Sequence, residues 1–326
     1  MKNIVLFLAF CFTFGLVSAQ PMDKKELKQL KKMFQVYDSG KIFKKAKRIA
    51  LPGVNLRFKL VSRESVTDGS WKDRDGQMKF SAWAILSGME AADFQEITDQ
   101  FEVMLTDKLT RMGLEVVPPA AYQNAKNYKK LVEKNTRDRT TSKKNWGAAL
   151  VFSAGERPFF VFPMSPLGPH AKFAKEVKAL VANMLITIDF AYVGFEVDRY
   201  SGRYYKSVSS KATVVPVIRL EGMTQNELQQ RSDGTYMHVI ADQSGGHQLT
   251  LNTEFVSDLE FSSNIETCSD CMPLMAKSFW MSIVRGSNNM GTYQVTADKT
   301  KYKAAVLDAL DRFSDIWIKI YAAQQK

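Results

Sequence analysis

The sequence predicts an α+β or α/β fold in which a mixed β-sheet is covered by amphipathic helices. Three patterns support this prediction: a strand–helix–strand unit near the N-terminus, a long antiparallel hairpin in the middle, and a C-terminal amphipathic helix. Apolar residues spaced three and four apart indicate the helices, and strict alternation indicates the strands. We predict a single α/β domain over residues 48–326, with a candidate subdivision near 145–184.

The helix of the strand–helix–strand unit has the clearest periodicity in the chain. We predict it from residue 91 to residue 112, with Asp93 as N-cap, Glu96 completing a capping box, and Gly113 in a left-handed C-terminal position. Strands are predicted on either side, at 49–61 and 114–117. The predicted buried face of the helix is Phe94, Ile97, Phe101, Met104, Leu105, Leu109 and Met112.

The connection between the first strand and this helix, residues 62–90, is rich in turn residues. The aspartates before Gly76 have the alternation of a calcium loop, but the later acidic ligand of such a loop is missing. A pair of tight turns explains the glycines equally well.

Alternating apolar residues predict the long hairpin. Its first strand begins near residue 184, a β-bulge follows Gly194, a turn lies at 200–203, and the second strand covers 204–220. Further strands are predicted at 147–155, 235–241 and 248–261, and helices at 171–183 and 301–322. The C-terminal helix is capped by Asp298, and its apolar stripe is Tyr302, Val306, Leu307, Leu310, Phe313, Ile316, Trp317 and Ile320.

Positive charge is concentrated in two stretches of a chain whose formal net charge is +11. Residues 20–47 form a predicted basic helical segment with Leu27, Leu30 and Phe34 on one stripe, and residues 126–144 form the second stretch, with an exposed loop at 135–145. Such stretches are either solvated faces or contacts for an anionic lipid or polysaccharide; nucleic acid is not an expected partner of an exported chain. The candidate contact residues are Lys44, Lys45, Lys47, Arg48, Lys129, Lys130, Arg137 and Arg139.

The first nineteen residues have the pattern of a signal peptide. Lys2 precedes an apolar run at 4–17, and small residues end at Ala19, after which we predict cleavage. The expected location is the periplasm or the periphery of an outer membrane, without a transmembrane helix. Phe10 before Cys11 argues against lipidation, which requires a small residue there.

Two cysteines, Cys268 and Cys271, remain after the predicted cleavage. In an oxidising compartment this spacing predicts a small local disulfide. A thiol–disulfide oxidoreductase is the alternative, although Pro273 and a loop-like context differ from the helix that such a motif normally opens. Zinc has little support because no second cysteine pair exists.

The sequence contains no pattern that names a reaction. It has no glycine-rich dinucleotide or phosphate loop, and Val151 occupies the position where a nucleophile elbow around Ser153 requires glycine. His170, His238 and His247 lack the spacing of a helical metal pair. We therefore predict no catalytic residue, no metal and no cofactor.

Three short segments of the N-terminal unit and one strand of the hairpin resemble the curli-secretion (CsgG-type) family. They are Arg48-Ile49-Ala50-Leu51-Pro52, Leu105-Thr106-Asp107-Lys108-Leu109, Leu114-Glu115-Val116-Val117 and the strand from Ala212 to Leu220 that ends in Arg219-Leu220. The resemblance implies an α/β domain on the periplasmic side of an outer membrane that assembles with other envelope proteins, with a homo-oligomer as one form.

Two functional hypotheses follow from these patterns. The first is a non-enzymatic exported envelope protein, an accessory to assembly or secretion that acts through protein or polyanion contacts. The second is a soluble periplasmic ligand-binding module or hydrolase, with a pocket lined by the apolar loop at 159–169 and the adjacent hairpin.

Overall fold

A computed structural model of the protein confirms the predicted mixed α/β architecture. Its strands form one 13-stranded sheet with parallel and antiparallel pairs, and four α-helices cover it in the described part of the chain. The structure describes residues 25, 28, 32–38, 42–43, 46–68, 78–143, 147–161, 168–201, 206–222, 234–241, 246–268, 271 and 288–325. The predicted signal peptide and the aspartate-rich turns near Gly76 lie outside these residues.

The helices and strands follow one another in a mixed order along the chain. The strands are β1 (Phe34–Asp38), β2 (Arg48–Asp68), β3 (Met78–Ser87), β4 (Glu115–Val117), β5 (Thr140–Lys143), β6 (Gly147–Ser153), β7 (Leu180–Ser201), β8 (Lys206–Leu220), β9 (Tyr236–Ile240), β10 (Gly246–Leu251), β11 (Phe255–Val256), β12 (Ser262–Thr267) and β13 (Asn288–Ala297). The helices are α1 (Ala91–Arg111), α2 (Lys126–Asn135), α3 (Pro169–Val177) and α4 (Lys299–Gln325).

Two long strands, β2 and β7, organise the sheet. Their first halves run parallel to each other, from Ile49 opposite Leu180 to Phe58 opposite Ile188. On the far side of β2 lie β4 and β6, and on the far side of β7 lie β9, β10 and β1. Beyond Phe58 the two strands take new partners: β2 continues in a hairpin with β3, and β7 continues in a hairpin with β8.

The sheet separates two helical layers, because alternate residues of a strand point to opposite faces. Ile49 and Leu51 of β2 belong to the large core cluster that contains the buried faces of α1 and α4. Ala50, which lies between them, belongs to a second cluster with residues of α2 and α3. Helices α1 and α4 therefore cover one face of the sheet, and α2 and α3 cover the other.

The strand–helix–strand unit is confirmed, with β2 and β4 in parallel register. Two details differ from the prediction: the N-cap of the helix, and the strands found within the connection predicted at 62–90. The N-cap of α1 is Glu90, and Asp93 is the N3 residue whose side chain accepts from the Glu90 backbone at 2.8 Å. Gly113 does adopt the left-handed conformation, with φ of 86°. Residues 62–68 and 78–87 of the predicted turn-rich connection are strand, because β2 continues to Asp68 and β3 pairs with it.

The predicted hairpin exists as β7 and β8, but its bulge lies earlier than expected. Pairing is continuous through Gly194, and the irregularity falls between Asp189 and Ala191. This earlier bulge leaves Tyr192 exposed and buries Ala191. The helix predicted at 171–183 ends at Val177, because Lys178 takes a left-handed conformation and Leu180 begins β7.

Other boundaries also differ from the sequence prediction. Phe34 belongs to strand β1, opposite Leu251, rather than to a helical stripe. The loop predicted at 135–145 contains β5, and the strand predicted at 248–261 is divided between β10 and β11. The apolar stripe of α4 is confirmed as core for Tyr302, Val306, Leu310, Phe313, Trp317 and Ile320, whereas Leu307 and Ile316 are only partly buried. No helix in the described ranges is long and apolar enough to cross a membrane.

Candidate anion-binding surface

Helix α2 is held in place by one apolar face and by a carboxylate from α3. Its buried residues Tyr128, Leu131 and Asn135 recur at spacings that place them on one side of a helix. At its N-terminus, Glu176 accepts hydrogen bonds from the backbone N–H groups of Lys126 and Asn127, both at 2.9 Å. A carboxylate there satisfies helix-end donors and complements the positive end of the helix dipole.

The protonation of Glu176 is set by these contacts. Partial burial pushes the pKa of Glu176 upward, but the hydrogen bonds from Asn127 and Lys126 outweigh that effect and hold the pKa below its usual value. Glu176 is therefore ionised at neutral pH, and the N-terminus of α2 is occupied by an internal anion.

Helix α3 begins at Pro169, a residue whose fixed φ suits the first position of a helix. Its buried residues His170, Ala171, Phe173 and Ala174 face the sheet. Its C-terminal carbonyl group at Val177 accepts from Arg48 at 3.3 Å. Arg48 also pairs with Glu115 at 2.9 Å, so it joins β2, β4 and α3.

The two helices pack together over a shared apolar cluster. Tyr128 and Phe173 lie with ring centroids 5.5 Å apart, and Phe160 contributes a third ring 6.3 Å from that of Tyr128. Phe160 is fully buried, so this part of the apolar segment predicted as a loop supports the helices from below. The outward faces of α2 and α3 therefore form one helical layer.

This layer is strongly basic. Residues 126–139 and 169–178 contain nine Lys or Arg and three Asp or Glu. The two helices of the opposite layer, α1 and α4, together carry eight acidic and seven basic residues. Six exposed lysines make up the basic layer: Lys129, Lys130 and Lys134 of α2, Lys172 and Lys175 of α3, and Lys178 just after α3.

The structure separates the predicted contact residues into two kinds. Lys47, Lys129, Lys130 and Arg137 are exposed, as an external contact requires. Arg139 instead donates to the carbonyl groups of Arg157 at 2.8 Å and Glu156 at 3.3 Å. Arg48 is held by the Val177 carbonyl and by Glu115. Lys44 and Lys45 lie outside the described residues.

The sequence patterns did not indicate that lysines of α3 lie beside those of α2. Lys172 and Lys175 fall on the outward phase of α3, three residues apart, while Phe173 and Ala174 fall on the inward phase. That phase was readable from the sequence, but the packing of α3 beside α2 was not.

A groove of about 420 Å³ borders the basic layer where α2 meets the turn after β6. Lys129 and Tyr128 line it from α2, and Arg157 lines it from the turn. Arg157 is itself buried, and donates to Glu102 and, at 3.3 Å, to the hydroxyl of Tyr122. Burial raises the pKa of Tyr122 above its usual value, so this hydroxyl stays neutral at physiological pH.

The pocket expected for a ligand-binding module differs from the grooves found. Neither the groove beside α2 nor a groove of about 710 Å³ along the exposed side of α1 is lined by the 159–169 loop or by the β7–β8 hairpin. Phe159, like Phe160, is buried in an apolar cluster. The described part of the loop thus packs inward.

The two cysteines are not bonded to each other in the structure. Cys268 and Cys271 are free, half-buried thiols, and the Cys268 thiol lies beside that of Cys271. Burial, together with this contact, raises the pKa of the Cys271 thiol to about 12, the opposite of the lowered pKa that activates a redox cysteine. The disulfide therefore stays a prediction for an oxidising compartment. In the described ranges no group of three or more His, Cys, Asp or Glu could hold a metal ion.

Comparison with known proteins finds no matching family, no matching curated protein and no matching solved structure. The resemblance to the curli-secretion family is therefore neither strengthened nor weakened. The chemistry of the surface is what remains to indicate function. Lysine side chains are strongly hydrated point charges with three donors each, and they bind phosphate and carboxylate groups without fixed geometry.

Proposed function

We propose that this protein is a non-enzymatic exported envelope protein that contacts an anionic surface, the phosphate groups of lipids or of lipid-linked polysaccharide, through its basic layer. In this role it serves as an accessory to assembly or secretion at the outer membrane. The observation that carries the proposal is the placement of six exposed lysines from α2 and α3 in one helical layer.

The distribution of charge supports a surface contact rather than general solvation. Nine basic and three acidic residues lie at 126–139 and 169–178, whereas α1 and α4 of the opposite layer together carry seven basic and eight acidic residues. An anionic surface therefore attracts the α2 and α3 side of the protein more strongly than the other side. Each lysine close to a membrane of anionic lipid contributes about 1 kcal/mol of binding free energy.

The experiment is a vesicle sedimentation assay with the mature chain. Vesicles of phosphatidylcholine alone are compared with vesicles that also contain phosphatidylglycerol, at low and at high salt. The wild-type protein is expected to bind only the anionic vesicles, and to lose binding at high salt because exposed charges are screened.

A matched pair of variants tests the location of the contact. Lys172→Glu with Lys175→Glu reverses two charges on α3, and Lys301→Glu with Lys319→Glu reverses two exposed charges on α4 of the opposite layer. The proposal predicts loss of binding for the first variant and near wild-type binding for the second. Equal loss of binding in both variants would show that only the net charge of the protein matters, and binding to neutral vesicles would contradict the proposal.

A further inference from the structure

A groove of about 710 Å³ runs along the outward face of α1, in the layer opposite the basic layer, and it is independent of the proposed function. Its lining residues on α1 recur at spacings of three and four from Ala92 to Asp107, so they form one stripe along the helix. An α-helix rises about 1.5 Å per residue, which makes this stripe about 22 Å long. Glu156, in the turn that follows β6, lines the groove from outside the helix. The groove therefore has the length of about four helical turns.

The groove contains exposed apolar surface. Val103 is 70% exposed, the largest value among the exposed large hydrophobic side chains of the described residues. Met104 beside it is partly buried and packs against the large core cluster. The fold does not bury Val103, because the inward face of α1 is formed by other residues, such as Phe101 and Leu105. An exposed apolar side chain in a concave surface is a contact point for an apolar side chain of a partner.

All of the charged residues that line the groove are acidic. They are Glu96, Asp99, Asp107 and Glu156. Lys303 of α4 pairs with Glu96 at 2.6 Å. Arg111, one turn further along α1, pairs with Asp107. Within the described part of the chain these contacts leave two of the four carboxylates without a cation, so the groove has a net negative charge.

The other two carboxylates, Asp99 and Glu156, are held in place by contacts of the turn after β6. Asp99 accepts a hydrogen bond from the backbone N–H of Gly155 at 2.7 Å, so the turn is tied to α1. Gly155 takes a left-handed conformation, with φ of 59°, and the carbonyl of Glu156 accepts from Arg139 at 3.3 Å. The groove is therefore formed before a ligand arrives, which lowers the entropy cost of binding.

We propose that this groove binds a cationic amphipathic helix of a partner protein, whose apolar stripe packs on Val103 and Met104 and whose Lys or Arg side chains lie beside the four carboxylates. Charge complementarity selects this partner, because acidic residues line the groove and no basic residue does. The length agrees, since about 22 Å accommodates a helix of about 15 residues. In this mode of recognition, apolar residues at helical spacing supply the anchors. The same charge repels acidic segments and phosphate groups, so the groove and the basic layer take different ligands.

Fluorescence anisotropy with the mature chain tests the groove. The probe is a fluorescein-labelled peptide of about 15 residues made only of Leu and Lys, with the Leu residues at helical spacing so that they form one stripe. The control probes are a scrambled peptide of the same composition and a peptide with Glu in place of every Lys. The stripe peptide should bind, the scrambled peptide should bind at least about tenfold more weakly, and the Glu peptide should not bind.

A matched pair of variants locates the binding. Val103→Lys with Glu156→Lys removes the exposed apolar side chain of the groove and reverses one of its charges. Leu259→Lys with Glu260→Lys makes the same change of net charge at exposed positions outside the groove. The groove variant should bind the stripe peptide at least about tenfold more weakly, and the control variant should bind close to the wild type.

Three outcomes would overturn the proposal. Equal loss of affinity in both variants would show that only net charge matters, and equal binding of the scrambled peptide would show that the groove does not recognise an amphipathic helix. Self-association of the wild type at low salt that is lost in the groove variant would assign the groove to a second copy of this chain. If the groove variant does not fold, the Val103 methyl groups of the wild type are followed by NMR as the stripe peptide is added: a shift of their resonances supports the groove, and unchanged resonances refute it.

Discussion

The basic layer and a buried charged junction, formed by Lys59, Asp189, Arg219 and Glu221 where β2 and β7 cease to pair, use the same residue types in opposite ways. In the basic layer, six lysines stand in water on two helices, and their removal leaves no buried group without a partner. In the junction, Lys59 and Arg219 are buried against Asp189 and Glu221. Exposed charges contribute little to folding and much to long-range attraction, whereas a buried charge must be paired for the fold to persist. Burial therefore decides whether a lysine side chain contributes to the stability of the fold or is available to attract other molecules.

The largest expected effect comes from Lys59→Met. This change leaves the buried Asp189 carboxylate with only one of its two cations, Arg219, and breaking one side of a buried pair costs about 3–5 kcal/mol of unfolding free energy. Urea unfolding measures the loss. Lys211→Met, at an exposed position of β8, is the control and should change stability by less than about 1 kcal/mol. Similar small losses in both variants would erase the distinction between the two regions.

A smaller effect is expected from Arg157→Met, because the exposure of its ion pair lies between that of the junction and that of the basic layer. Arg157 is buried, but the side chain of its partner Glu102 is 22% exposed and can be rehydrated in part. We expect a loss of about 1–3 kcal/mol in urea unfolding. Adding Glu102→Gln should restore part of that loss, since the double variant leaves no buried charge; strict additivity of the two changes would show that the pair is not coupled.

Glu176→Ala tests the internal anion of the basic layer. It removes the cap of α2 and should cost about 1 kcal/mol at neutral pH. Because the pKa of Glu176 is lowered in the folded protein, this contribution is present above the usual pKa of 4.5 and is lost as the pH falls through the folded pKa. The stabilities of variant and wild type should therefore converge in acid. Glu133→Ala, on the exposed side of α2, should show no such convergence.

The smallest effect on stability is expected from the basic layer itself. Changing Lys129, Lys130, Lys172 and Lys175 together to alanine should shift the unfolding free energy by no more than about 0.5 kcal/mol. The reason is that these side chains are exposed and removing them relieves repulsion between like charges. Thermal unfolding at low salt measures the shift, and a large destabilisation would mean that the lysines support the fold.

Much of the architecture was predictable because periodic apolar residues report local structure directly. Phe94, Ile97 and Phe101 identified α1, and the spacing of Tyr302, Val306 and Leu310 identified α4. The start of α1 was less certain for a physical reason: Glu90 with Asp93 and Asp93 with Glu96 have the same spacing of three, so two capping boxes compete. Strand β3 was missed because its alanines, Ala82 and Ala84, give weak alternation.

The sites depended on contacts that no local pattern contains. Lys59 follows Arg57 and Phe58 in ordinary strand alternation, which suggests a solvated side chain; its burial arises only because β7 brings Asp189 beside it. Likewise, Lys172 belongs to the same surface as Lys129 only because Phe160, Phe173 and Tyr128 pack together. Charge could be counted from the sequence, but its burial and its neighbours required the fold.

The central claim is that the lysines of α2 and α3 act as one anionic-surface contact. The most direct measurement is the affinity for phosphatidylglycerol-containing vesicles of three variants: Lys129→Ala with Lys130→Ala, Lys172→Ala with Lys175→Ala, and all four changes combined. Each pair should weaken binding by about thirtyfold, from about 1 kcal/mol for each lysine, and the combination should add the two losses. If the α3 pair binds like the wild type while the α2 pair does not, the two helices do not share a contact and the account is wrong.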